Sequence, residues 1–123
     1  MSQPVNVVVL RLFAPVLLVV GVLGFVLPDS LALTSGAAPY NVFHLVFGAV
    51  GLACVASGNL SAVRVFNLGF GLIDLYQAIA SVADLWPRSL FLWKRADDVL
   101  HVVIGAALVA VAVMADRRVV ARG

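Results

Sequence analysis

The chain has 123 residues, of which 63% are hydrophobic and only 11% are charged. Soluble domains average about 25% charged residues, so this composition excludes a protein that is wetted over its whole surface and predicts a membrane protein. The net charge of +2 arises from basic residues that stand singly or in small groups beside apolar runs. That distribution indicates membrane topology, and no nucleic-acid partner is expected.

Four apolar segments follow one another along the chain, separated by short polar turns. Each approaches the roughly 20 residues that an α-helix needs to cross a bilayer. They predict an all-α membrane protein with the lipid bilayer as its partner, in one domain over residues 1–123. The predicted transmembrane helices cover about residues 5–27, 42–57, 62–83 and 99–115.

The segment over residues 84–96 separates the third and fourth predicted helices and contains both tryptophans, Trp86 and Trp93. Because tryptophan favours the headgroup layer, we expect this segment to lie at the membrane interface, with the two indoles as anchors. It also holds Arg88, Lys94 and Arg95.

The side of the two termini is more basic, and the more basic side of a membrane protein normally faces the cytoplasm. Its five arginines are Arg11, Arg64, Arg117, Arg118 and Arg122. We therefore predict that both termini are cytoplasmic and that Arg117 and Arg118 are anchors at that surface.

An internal repeat relates the second and fourth helices. Asn41-Val-Phe-His44-Leu-Val-Phe-Gly48 aligns with Asp98-Val-Leu-His101-Val-Val-Ile-Gly105, and both histidines and both glycines coincide. The repeat predicts two related helical hairpins that run in the same direction through the membrane. It brings His44 and His101 to similar depth, about one helical turn below the non-cytoplasmic surface.

Asn41 and Asp98 are predicted to be helix N-caps, because Asn and Asp accept the free amides of a first turn. The two histidines would then stand at the third helical position and reach back to the caps. Gly48, Gly51 and Gly105 lie on the same helix faces as the histidines, since the spacings are three and four residues. Small residues let membrane helices approach closely, so these glycines are predicted packing positions.

These motifs resemble those of a family of small four-helix bacterial membrane proteins, grouped as domain of unknown function 4383. The resemblance rests on Gly24-Phe-Val-Leu-Pro28, on the Asn41 and Asp98 motifs, and on Arg64 at the start of the third helix. It implies the four-helix fold and a bacterial cytoplasmic membrane, and it implies no activity. Asp74 stands where a small residue is more usual in that family.

Asp74 lies near the middle of the third helix, which is the least apolar of the four. A charged carboxylate at that depth costs about 2.5 to 3.5 kcal/mol on insertion scales. Counting residues inward from the predicted helix ends gives Asp74 no polar neighbour on the other helices, with Ala107 opposite it on the fourth. We therefore expect a protonated side chain that bonds to Gln77 or a helix carbonyl, or that meets another chain.

No catalytic or metal-binding motif is present in the sequence, so neither an enzyme nor a metal site is predicted. The first functional hypothesis is a structural or accessory protein that packs against itself, as a homo-oligomer, or against a larger membrane complex. The alternative is a redox or proton-handling protein that uses His44, His101 and Asp74. No cofactor is predicted under the first hypothesis, whereas in the redox alternative the two histidines would be axial ligands of haem.

Overall fold

The computed structural model describes residues 3–118 and contains five helices and no strand within them. The helices are α1 (Val5–Val26), α2 (Ala38–Ala56), α3 (Leu60–Ala83), α4 (Arg88–Phe91) and α5 (Arg95–Met114). The four longer ones are long and apolar enough to cross a membrane. The all-α fold and the four helices of membrane-spanning length are therefore confirmed. Arg122, which contributed to the predicted orientation, lies outside the described residues.

Helix α1 packs mainly against α2, and α3 packs mainly against α5. The start of α1, the end of α2, the start of α3 and the end of α5 meet at one end of the bundle, here called the terminal end. The opposite end, called the loop end, carries residues 27–37 and the short helix α4. This arrangement gives the bundle two ends with different polar side chains.

An apolar core fills the middle of the bundle. Its buried side chains are Leu10, Ala14, Leu17, Val63, Phe66, Phe70 and Leu108. Large apolar side chains also cover the outside: Leu12 is 69% exposed, Val82 is 83% exposed and Met114 is 71% exposed. An apolar surface of this extent would be costly in water and is what a lipid-facing bundle requires.

Two helices begin about one turn earlier than predicted, and the predicted N-caps Asn41 and Asp98 are wrong. Helix α2 has Ala37 as its N-cap, because Pro39 in the first turn already has the backbone angle of a helix. Helix α5 has Lys94 as its N-cap. The carboxylate of Asp97, three residues on, accepts the Lys94 backbone N–H at 2.8 Å and stabilises this earlier start.

Candidate functional site

Asp97 is the centre of a buried hydrogen-bond network at the loop end, where it is only 1% exposed. Its carboxylate accepts the backbone N–H of Ser35 and that of Lys94, each at 2.8 Å. It also accepts the hydroxyl of Tyr40 at 3.0 Å. One side chain therefore ties the loop after α1, the first turn of α2 and the start of α5 together.

Tyr40 extends this network to His101. The Tyr40 hydroxyl oxygen lies 2.7 Å from His101 Nε2. Because the hydroxyl has one proton and donates it to Asp97, the Nε2–H of His101 donates to the hydroxyl oxygen. That assignment leaves His101 Nδ1 as a proton acceptor, and this atom is buried without a partner among the described residues.

His44 lies against the other side of Tyr40, with their ring centroids 4.2 Å apart. His44 is 7% exposed, and its Nδ1 atom also lacks a hydrogen-bond partner within residues 3–118. Both histidines line a single cavity. The two residues paired in the sequence repeat therefore meet in space, with Tyr40 between them.

Asp74 lines the same cavity and is 3% exposed. The amide of Gln77 lies one turn away and donates to Asp74 Oδ1 at 3.3 Å, while the indole N–H of Trp93 donates to Gln77 Oε1 at 3.1 Å. A Cβ atom added to Gly105 would lie 3.1 Å from Asp74 Cβ, so Gly105 is its neighbour on α5. Among the described residues, the expectation that Asp74 has no hydrogen-bond partner on another helix therefore holds, with Gln77 of α3 as its partner, but the residue opposite it on α5 is Gly105 and not Ala107.

The cavity has a volume of about 160 Å³ and is walled mainly by apolar side chains. These are Phe13, Val16, Leu17, Val20, Phe70, Leu100 and Ile104, with Thr34 at the loop end. Val16 is 51% exposed and Leu100 is 40% exposed on the outer surface. Because α1 and α5 make few contacts with each other, the cavity opens sideways between them.

The apolar core separates this cavity from the terminal end. Phe70 forms part of the cavity wall, and Phe66 and Leu10 lie beyond it in the core. Within residues 3–118, no hydrogen bond joins the loop-end side chains Asp74 and Gln77 to the polar side chains of the terminal end.

A second polar network closes the terminal end. Asp116, which follows α5, accepts the backbone N–H groups of Val5 and Asn6 at 2.9 and 2.7 Å and so caps α1. Partial burial acts to raise the pKa of Asp116, but the hydrogen bonds from Asn6 and Val5 outweigh it and lower this pKa below its usual range. The carboxylate therefore stays ionised, and the cap persists, until the pH falls through the lowered pKa.

Asn6 and Asn67 extend the terminal network. Asn67 Nδ2 donates to the side-chain oxygen of Asn6 at 3.1 Å, and both residues are fully buried. Arg11 near this end donates to the side chain of Gln3, toward the start of its own helix.

The glycines predicted for packing lie at helix contacts. A Cβ on Gly48 would approach Leu18 to 2.8 Å, and one on Gly51 would approach Ala14 to 3.0 Å, both on α1. A Cβ on Gly105 would lie 2.8 Å from the carbonyl oxygen of Gly71 on α3.

Gly24 has the tightest position of these glycines, since a Cβ there would fall 1.9 Å from Asn41 Oδ1. The absence of a side chain at Gly24 leaves space for the Asn41 side chain. Asn41 donates from this position to the Gly36 carbonyl at 2.9 Å and so stabilises the loop between α1 and α2.

The two predicted tryptophan anchors differ in their surroundings. Trp86 is 72% exposed, whereas Trp93 is partly buried and bonds to Gln77. Arg117 and Arg118 are exposed beyond the end of α5.

Sequence reasoning missed Tyr40 and Asp97, although the repeat contained a signal for them. Each stands directly before an aligned residue, Asn41 or Asp98, and four residues before an aligned histidine. That spacing puts Tyr40 on the face of His44 and Asp97 on the face of His101. The hydrogen bond between Tyr40 and Asp97 thus joins two positions that the predicted repeat would make equivalent.

The site geometry is unfavourable for haem. His101 Nε2 is engaged by Tyr40, so the two histidines do not offer a matched pair of free ring nitrogens to one iron. The cavity is also far smaller than a porphyrin ring requires. Among residues 3–118, no group of three or more His, Cys, Asp or Glu side chains is arranged to hold a metal ion.

Comparisons with protein-family models, with curated proteins and with solved structures give no match for this chain. The family resemblance drawn from the motifs stays a prediction.

Proposed function

We propose that the chain is a four-crossing protein of the bacterial cytoplasmic membrane, made of two related hairpins with both termini in the cytoplasm. The count of basic residues supports this orientation, because the more basic side of a membrane protein normally faces the cytoplasm and acidic residues contribute little. In the sequence, five arginines belong to the side of the termini, against Arg88, Lys94 and Arg95 at the loop end.

Within that bundle, the function supported best is proton handling at the loop-end cavity. The observation that carries this proposal is the convergence of His44, His101 and Asp74, from three different helices, on one cavity. Ionisable side chains are costly inside a membrane and usually serve a function there. Here His44, His101 and Asp74 line a cavity that the described residues leave unfilled.

The loop-end network supplies a negative charge that stabilises a proton bound in this cavity. A proton that binds to His101 Nδ1 makes the imidazole cationic, and the Tyr40 hydroxyl then stands between this cation and the Asp97 carboxylate. The charge of Asp97 stabilises the protonated imidazole, and the Asp97 carboxylate keeps its hydrogen bonds from the Ser35 and Lys94 amides. Because the apolar core lies between this cavity and the terminal end, the site takes up and releases protons on one side and does not conduct them.

Trp93 provides a direct optical measurement of this proton binding. Its ring lies edge-on to His101, with centroids 6.1 Å apart, and a protonated imidazole quenches a neighbouring indole. In a Trp86→Phe background, where Trp93 is the only tryptophan, we expect its emission to change in a single transition as the pH is lowered.

The matched controls are the two histidines. His101→Gln should abolish the transition, whereas His44→Gln should retain it, because His44 lies beyond Tyr40 from the indole. A flat emission profile in the folded Trp86→Phe protein would contradict the proton-handling proposal.

A structural or accessory role is the second proposal. Asp74 does not require a second chain for this role, because its carboxyl already has a partner in its own helix, Gln77. The role is supported by small residues on the outer surface: Ala106, Ala107 and Ala110 are exposed on α5, and a Cβ on Gly69 of α3 would meet open space. Such surfaces let membrane helices associate closely. A strictly monomeric species in a gentle detergent, with no co-purifying subunit, would contradict this role.

A further inference from the structure

A groove at the terminal end runs between α3 and α5, on the opposite side of the core from the cavity. It has a volume of about 490 Å³ and is here called the α3/α5 groove. Its lining combines two arginines and a serine with apolar side chains: Ser61, Arg64, Val65, Leu68, Ala112, Val113 and Arg117. None of these groups belongs to the proposed proton site.

Arg64 is held in a fixed orientation at this groove. Its Nε and Nη2 atoms donate to the carbonyl of Ala112 at 3.1 and 2.7 Å. That carbonyl lies in the last turn of α5, where helix carbonyls lack amide partners. The guanidinium is thereby anchored through one edge, and Nη1 donates no hydrogen bond to the described residues. An anchored guanidinium with a free N–H group is prepared to bind an oxyanion.

The charge around Arg64 is not balanced by an ion pair. Asp116 is the nearby acid, and its carboxylate is already bonded to the start of α1. Arg117 lines the same groove and forms no ion pair within residues 3–118, in contrast to Arg88 and Lys94 at the loop end. Two cationic side chains from two elements thus converge on one open groove.

The remaining wall of the groove is apolar and faces outward. Val65 is 70% exposed, Leu68 is 37% exposed and Val113 is 50% exposed. Leu68 lies one turn beyond Arg64 toward the middle of the bundle. The groove therefore has a cationic end at the bundle edge and an apolar end at membrane depth, which is the polarity of a phospholipid.

We propose that the α3/α5 groove binds an anionic phospholipid, with its phosphate on Arg64 and Arg117 and an acyl chain along Val65, Leu68 and Val113. Paired arginines bind phosphate oxygens through charge-assisted hydrogen bonds. A free phosphate ion would share the cationic contacts but would gain nothing from the apolar wall. This inference is independent of the proton-handling proposal, since it uses no residue of the cavity.

The test uses the purified full chain in a neutral detergent, delipidated and then titrated with short-chain phosphatidylglycerol or phosphatidylcholine. Native mass spectrometry counts the bound lipid. We expect phosphatidylglycerol to bind more tightly than phosphatidylcholine, with the preference falling by about fivefold for each arginine removed. Arg117→Gln is the primary variant, because Arg117 is exposed and its loss leaves the α5 end intact. Arg64→Gln is the second.

The control removes one positive charge at the other end through Arg95→Gln, which should leave the preference unchanged. Two results would overturn the proposal. One is an equal loss in Arg117→Gln and Arg95→Gln, which would mean that only the net charge matters. The other is displacement of phosphatidylglycerol by inorganic phosphate at equal concentration, which would identify a site for the free anion.

Discussion

Replacement of Asp97 by alanine is expected to lower the free energy of unfolding by about 3 to 5 kcal/mol. The carboxylate accepts three donors: the buried Ser35 amide and Tyr40 hydroxyl, and the partly buried Lys94 amide. Alanine accepts none of them, and each buried donor left without a partner costs about 1 to 3 kcal/mol. The start of α5 and the loop after α1 should both loosen. Reversible unfolding in mixed detergent micelles, followed by circular dichroism, measures the loss.

Asp98→Ala is the matched control for this prediction. Asp98 is the next residue on the same helix, but it accepts no hydrogen bond, and its Oδ1 atom is buried without a partner in the described part of the chain. Its loss removes only the favourable charge near a helix N-terminus, which is worth about 0.3 to 1 kcal/mol. Equal destabilisation by the two variants would show that Asp97 does not organise the loop end.

Replacement of Gly105 by alanine is expected to destabilise the protein by about 2 kcal/mol, even though alanine favours a helix. The added Cβ would lie 2.8 Å from the Gly71 carbonyl oxygen, which is a backbone atom. Relief requires α3 and α5 to move apart, because no side-chain rotation removes the contact. The same Cβ would lie 3.1 Å from Asp74 Cβ, so the substitution also disturbs the cavity wall. The unfolding measurement used for Asp97 reports the effect.

Gly69→Ala is the control for this substitution. It lies in α3 like Gly71, but a Cβ there would meet nothing within 4 Å. The gain in helix propensity should therefore be kept, and stability should rise by up to about 1 kcal/mol. A Gly105→Ala protein as stable as Gly69→Ala would contradict the close contact between α3 and α5.

Much of the fold was predictable because its signals are local. Each apolar segment is long enough to span a bilayer, and hydropathy alone reveals it. The meeting of His44 and His101 followed from an alignment of two segments, and the Gln77 contact of Asp74 followed from helix periodicity. These inferences need only the geometry of a single helix or the symmetry of two.

The errors came from contacts between segments distant in sequence. Asp97 bonds to Ser35, and that pairing, which fixes the start of α5, leaves no local pattern. The residue opposite Asp74 on α5 was also predicted incorrectly. Helix α5 begins at Arg95 and not near residue 99, and the observed neighbour is Gly105, two residues nearer the start of the helix than Ala107.

We propose that the loop-end cavity lies at the non-cytoplasmic end of a four-crossing bundle. Labelling of intact cells with a thiol reagent that does not cross membranes tests this orientation, in a protein whose lone cysteine, Cys54, is replaced by serine. A cysteine at Ser89 on α4, at the loop end, should react in intact cells. One at Ser61, near the start of α3, should react only after lysis. The reverse pattern would place the cavity on the cytoplasmic side and contradict the account.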